Sequence, residues 1–203
     1  MAPSSSMEHS PASNMRFKLL CFCSFVNLLY CDSIIDMRTN VVNRDNFSNY
    51  QNVFYCYGVG TIDLDKIMSI LYPYSTNPSY AFAIQKFFDE ARKLQPAPKQ
   101  EGWDPKLDAT CQAPLSHEVV FENERIRLLK VTIDPFTKEP FHIHGRNSVM
   151  LVLEPTRIKY YNEKGEASEF NSSVGTWVLE PEKMHAVENL DAIPYAALRL
   201  EIK

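Results

Sequence analysis

The chain has 203 residues, 45% of them hydrophobic and 12% aromatic, and a formal net charge of −4. That length suits one domain of ordinary size with extensions. The mildly acidic balance, with no basic stripe interleaved with aromatics, argues against nucleic acid as a partner. There is no Gly-rich phosphate loop and no Gly-x-Ser-x-Gly elbow.

Residues 1–14 are rich in Ser, Pro and Ala and are expected to form a disordered tail. Residues 15–35 form an apolar segment in which Leu19 to Tyr30 follows Arg16 and Lys18, the outline of a secretory signal. The stretch is too short to span a bilayer comfortably, so no stable membrane span is expected. The expectation is a cytoplasmic protein, or a secreted one if residues 15–31 act as a signal peptide. The five cysteines, Cys21, Cys23, Cys31, Cys56 and Cys111, match no zinc-ribbon spacing and read as free thiols.

Residues 36–105 read as an N-terminal helical extension ending in a Pro-rich linker. Asp63 to Leu71 predicts a short helix with Leu64, Ile67, Met68 and Leu71 on one face, Asp63 as its N-cap and Pro73 as its stop. Asn77-Pro78-Ser79 opens a second helix, about Ser79 to Leu94, whose stripe runs through Tyr80, Ala83, Ile84, Phe87, Phe88 and Ala91. Gln95 to Pro105 holds three prolines and a glycine and is the natural boundary.

Residues 116–203 have a different texture. Short strand candidates fall at Val119 to Phe121, Arg125 to Ile133, Pro140 to His144, Ser148 to Leu153 and Arg157 to Tyr161. Three more fall at Thr176 to Leu179, His185 to Asn189 and Tyr195 to Ile202. Turn signals separate them and no helical period intervenes, which predicts an antiparallel sandwich or barrel.

The chemistry concentrates in two of these strands. His142 and His144 are one residue apart, so on a strand they point to the same side. His185 follows a turn punctuated by Gly175 and Pro181. Three neutral imidazoles on a rigid β scaffold suit a divalent transition metal.

The run Gly175, Pro181, His185, Asn189 matches the second motif of the cupins, with Lys183 replacing its internal glycine, and His142-x-His144 matches the core of the first. Residues 116–203 therefore resemble a small single-domain cupin of the RmlC-like superfamily. The resemblance implies a mainly β fold, a double-stranded β-helix or jelly-roll barrel, here with an N-terminal helical extension. Ser148 and Val149 stand where the family's glutamate ligand would be, so the carboxylate ligand is missing.

The metal ligands expected are thus His142, His144 and His185, with Asn147 and Ser148 in the surrounding shell: Asn147 to orient an imidazole, Ser148 to hold a water. Fe(II) is favoured, with Zn, Mn or Ni as alternatives. Arg127 is the candidate for binding a substrate carboxylate and Tyr160 for orienting the substrate. Glu188 points away from His185 on a strand and is discounted. His117 and His9 are expected to be solvated, and Arg199 to lie on an outer face. No general base stands out. The function expected is a dioxygenase-type metalloenzyme acting on a small organic molecule. A metal-dependent isomerase, or a non-catalytic sensor or store, is the alternative. A homodimer is the state common in the resembled family.

Overall fold

The computed structural model describes residue 54 and residues 57–59, 61–97 and 103–203. The expectations for residues 1–14, for the signal-like segment 15–35, for His9 and for Cys21, Cys23, Cys31 and Cys56 lie outside the described residues, as does the middle of the Pro-rich linker.

Among the described residues, the helices that precede the strands include α1 (Thr61–Leu71), α2 (Pro78–Ala91) and the single turn α3 (Ala109–Gln112). Short 3-10 turns, Tyr72–Tyr74 and Pro105–Leu107, lie between them. Helix α1 starts two residues before Asp63, which therefore lies in its first turn rather than at the cap. The start of α2 follows capping chemistry: the Asn77 side chain accepts from the Ser79 backbone N–H at 3.0 Å, with Pro78 at the first helical position.

The strands are β1 (His117–Glu122), β2 (Ile126–Ile133), β3 (His142–His144), β4 (Ser148–Glu154) and β5 (Arg157–Tyr161). Then come β6 (Ala167–Asn171), β7 (Gly175–Leu179), β8 (Glu182–Asn189) and β9 (Tyr195–Ile202). They form two antiparallel sheets, of order β1-β2-β9-β4-β7 and β3-β8-β5-β6. Interleaving early and late strands in this way gives a jelly roll, in which two sheets face each other across a lumen.

The two faces of the five-stranded sheet do different work. On β4 and β9, Val149, Leu151, Leu153, Leu198, Leu200 and Ile202 face outward and pack with the helical residues Leu64, Ile67, Ile84, Phe87 and Phe88 in one core. The alternate residues Met150, Val152, Tyr195 and Ala197 face the lumen and join Leu129, Val131 and Ile133 of β2. Strand alternation with both faces buried explains why these strands read as near-continuous apolar runs. The apolar stripe of α2 is thus covered by the sheet, and the Thr176 hydroxyl donates to the Ala83 carbonyl at 2.7 Å to fix the contact.

The supposed linker also has a structural task. Trp103 packs on Gly145, where an added Cβ would come within 2.6 Å of the indole. Asn147 donates to the Gln95 carbonyl at 3.0 Å. Both contacts brace the loop between β3 and β4, immediately after His144. Among the described residues, no helix is long and apolar enough to cross a membrane.

Candidate metal centre

Strand pairing builds the centre. In the antiparallel pair of β3 with β8, His142 lies opposite His185, and His144 lies opposite Glu182 beyond an irregularity. Asn189, the last residue of the motif on β8, pins the far end of the strand. Its fully buried amide donates to the Ile133 and Ile193 carbonyls at 3.0 and 2.7 Å. Lys183, where the motif has glycine, lies within β8, and Phe136 is the one non-glycine residue with positive φ among those described, so no glycine is needed there.

A fourth imidazole joins the three expected from sequence. His117, at the head of β1, is buried rather than solvated, and its ring lies 4.7 Å from that of His142 and 5.2 Å from that of His144, centroid to centroid. The remaining separations are 5.0 Å for His142–His144, 4.5 Å for His142–His185 and 5.6 Å for His144–His185. Imidazoles sharing one metal at a nitrogen distance of about 2.0–2.1 Å have centroids roughly 4.5–5.3 Å apart, depending on the coordination angle. Four of these five separations fall in that range, and His144–His185 lies just beyond it.

Two sets of side chains bring one ligand atom each to within 4.8 Å of one another: His117 with His142 and His144, and His144 with Glu182 and His185. They share His144. The expected trio His142, His144, His185 is therefore divided between two overlapping sets.

Each ring is held by its Nδ1. Backbone carbonyls accept from three of them: Pro140 from His142 at 2.9 Å, Lys183 from His185 at 2.8 Å, and Ala113 from His117 at 3.3 Å. The Glu201 carboxylate accepts from His144 at 2.8 Å. Because a carbonyl or carboxylate oxygen can only accept, the proton sits on Nδ1 and the lone pair on Nε2. The Nε2 of His142 is buried with no hydrogen-bond partner. Burial pushes the imidazoles down, His117 to about 3, His142 to about 4, His144 well below its ordinary value and His185 in the same direction. Neutral rings with tethered Nδ1 and a bare Nε2 are the form in which histidine ligates metal. The donor set fits a divalent transition metal.

The cluster forms the polar wall of a cavity of about 450 Å³. Val131, Ile133, Val152 and Ile158 make its apolar walls, and the partly exposed Phe170 and Trp177 also line it. Tyr160 lines it too, its ring stacked at 5.3 Å on His185.

Glu139, missed in the sequence, also lines the cavity. It accepts from the Ser116 hydroxyl at 2.9 Å and the Val187 N–H at 3.2 Å, and its Oε1 lies 3.8 Å from His142 Nε2. Burial pushes its carboxyl up to about 7. It sits three residues before His142, outside any motif, so the sequence carried no signal for it.

Arg127 is placed differently from the expectation. It faces inward, but Asp108 takes its Nη1 and Nη2 at 2.7 and 2.9 Å, and Glu201 takes its Nε at 2.7 Å. Its guanidinium does not line the cavity; that of Arg199, expected on an outer face, does. Arg199 is buried and donates through Nη1 to Glu182. Asn147 is turned to Gln95 and orients no imidazole; Glu201 does that for His144. Ser148 is fully buried with its hydroxyl unpartnered, and does not line the cavity. Glu188 accepts from the Tyr161 hydroxyl at 2.6 Å.

No family model and no curated protein matches the sequence. Solved structures do resemble it in shape. A cupin domain from Bordetella pertussis is 18% identical, covering 43% of this chain and 91% of its own at a TM-score of 0.40. An RmlC-like cupin family protein with a double-stranded β-helix fold, from Methanocaldococcus jannaschii, is 9% identical, covering 52% and 93% at 0.36. The polyketide cyclase RemF from Streptomyces resistomycificus is 15% identical, covering 42% and 63% at 0.34. Likeness at these identities says nothing of reaction or ligand. By its own strand order, the segment from β1 to β9 is a double-stranded β-helix, or jelly roll.

Proposed function

We propose that the roll is a metal-dependent enzyme acting on a small organic molecule, with a divalent transition metal held by His142, His144 and His185 together with His117. One observation carries this reading: four buried neutral imidazoles, each tethered at Nδ1, cluster beside a cavity, with His142 Nε2 unpartnered. Such a metal, Fe(II) in the dioxygenase-type version, supplies Lewis acidity at an open position and, for iron, a redox centre.

The chain's own residues do the rest. Glu201 fixes the tautomer of His144, and Pro140 and Lys183 fix those of His142 and His185. The apolar walls exclude water from the bound molecule, and Tyr160 stands beside His185 to orient it. Glu139 is a carboxyl able to hold or deliver a proton near neutral pH. That residue favours the second enzymatic reading, an isomerase-type reaction in which a proton moves.

Elemental analysis of protein purified without added metal tests the centre. The expected result is close to one equivalent of transition metal, lost in a His142→Ala variant. Metal-free wild-type protein that takes up none from solution sinks the reading. Oxygen uptake by iron-loaded protein with thiols, diketones and amino acid derivatives then distinguishes dioxygenase from isomerase. Binding of a metabolite with neither oxygen uptake nor conversion favours a sensor.

A further inference from the structure

The geometry points to Arg199 as the anchor for a carboxylate group on the molecule that enters the cavity, which makes the ligand class a small organic acid with an apolar body. This rests on the reading of the cavity as a ligand site. Arg199 is 3% exposed and lines the cavity. Its Nη1 is taken by Glu182, but Nε and Nη2 are buried with no hydrogen-bond partner. The nearest carboxylate oxygen to Nε, Oε1 of Glu201, is 3.8 Å away and already accepts from His144.

A guanidinium has five donors, and leaving several of them dry is costly. The Nε/Nη2 edge is also one of the two faces that match both oxygens of a carboxylate in a planar fork. The other inward arginine, Arg127, has no such edge to offer, since Asp108 and Glu201 occupy it. Charge agrees with geometry. Four carboxyl groups, Asp108, Glu139, Glu182 and Glu201, stand against the guanidiniums of Arg127, Arg146 and Arg199, so a divalent metal added beside them leaves a single positive charge that a carboxylate ligand offsets. Most of the cavity surface is apolar, although Asn171, Ser172 and Ser173 also line it, which suits an alkyl or aryl body rather than a polyol.

Calorimetric titration of the full chain with 3-phenylpropionate and with 3-phenylpropionamide tests this, on metal-free protein and on protein loaded with zinc alone. The acid is expected to bind at least about tenfold more tightly than the amide in both preparations. Arg199→Lys keeps a cation for Glu182 but loses the fork, and should reduce that preference to roughly threefold or less. Its melting temperature shows whether it is folded, and the wild-type comparison stands without it. Equal affinity for acid and amide, or no binding of the acid at millimolar concentration, overturns the proposal. So does a preference that appears only with zinc and survives Arg199→Lys, because the metal would then hold the anion. An acid preference in protein that binds no metal supports Arg199 and counts against the metal centre alone.

Discussion

His117 and His185 make the same kind of contact from opposite sides of the cluster, and their removal should have graded effects. His185→Ala is expected to lose metal at least tenfold in affinity while keeping its urea midpoint near that of the wild type, because the apolar cores do not include it. His117→Ala should also weaken metal binding, measured by chelator competition; unchanged affinity would remove His117 from the ligand set. Metal-free protein should lose stability in acid. The folded imidazoles protonate far below 6.5, at about 3 for His117 and about 4 for His142, so between those values and 6.5 the unfolded chain binds more protons. Stability present above 6.5 is therefore lost as pH falls. Glu139 has the opposite sign: its folded value of about 7 lies above 4.5, and its contribution, complete below 4.5, fades as pH rises through 7. Four imidazoles against one carboxyl predict a melting temperature that drops from pH 7 to pH 5. A flat or rising profile would contradict this. At this scale the sequence exposed only what a motif carries. His142, His144 and His185 stand out by spacing, whereas His117 and Glu139 reach the cavity through strand pairing that no local pattern encodes.

Elements were more legible than contacts. Eight of the strands announced themselves by apolar runs between turn residues, but β6 is exposed along its whole length, and Phe170, which it turns to the cavity, is too isolated to leave an alternating pattern. Arg127 lies on the inner side of β2, but no sequence pattern reveals that Asp108, from the cap of α3, occupies it. Arg127→Met should therefore destabilise the fold by about 3–5 kcal/mol, measured by urea denaturation, because the buried Asp108 loses its cationic partner and Glu201 keeps only Arg146 and His144. It should leave the acid-over-amide preference intact, unlike Arg199→Lys. Phe87→Ala, in the core between α2 and the sheet, should cost about 3–5 kcal/mol by creating a cavity.

At the scale of the molecule, the helices were expected to precede the roll as an extension beyond a Pro-rich boundary. Instead they complete the outer core of its larger sheet, and Gln95 and Trp103 touch the loop after His144. Proline content marks a break in helical period, not a break in packing. A fragment beginning at Trp103 should expose Val149, Leu151, Leu198 and Leu200 and run as aggregate on size exclusion. A monodisperse, folded fragment would show that the roll stands alone.

Strand β9, made after every other described strand, lies in the middle of the larger sheet and carries both Arg199 and Glu201. During synthesis, β1 and β2 on one side and β4 and β7 on the other must therefore wait, unzipped, until β9 leaves the ribosome and slots between them. The carboxylate that holds His144 and the guanidinium with a bare Nε/Nη2 edge are thus among the last parts of the roll to be set in place, after all four imidazoles have been made.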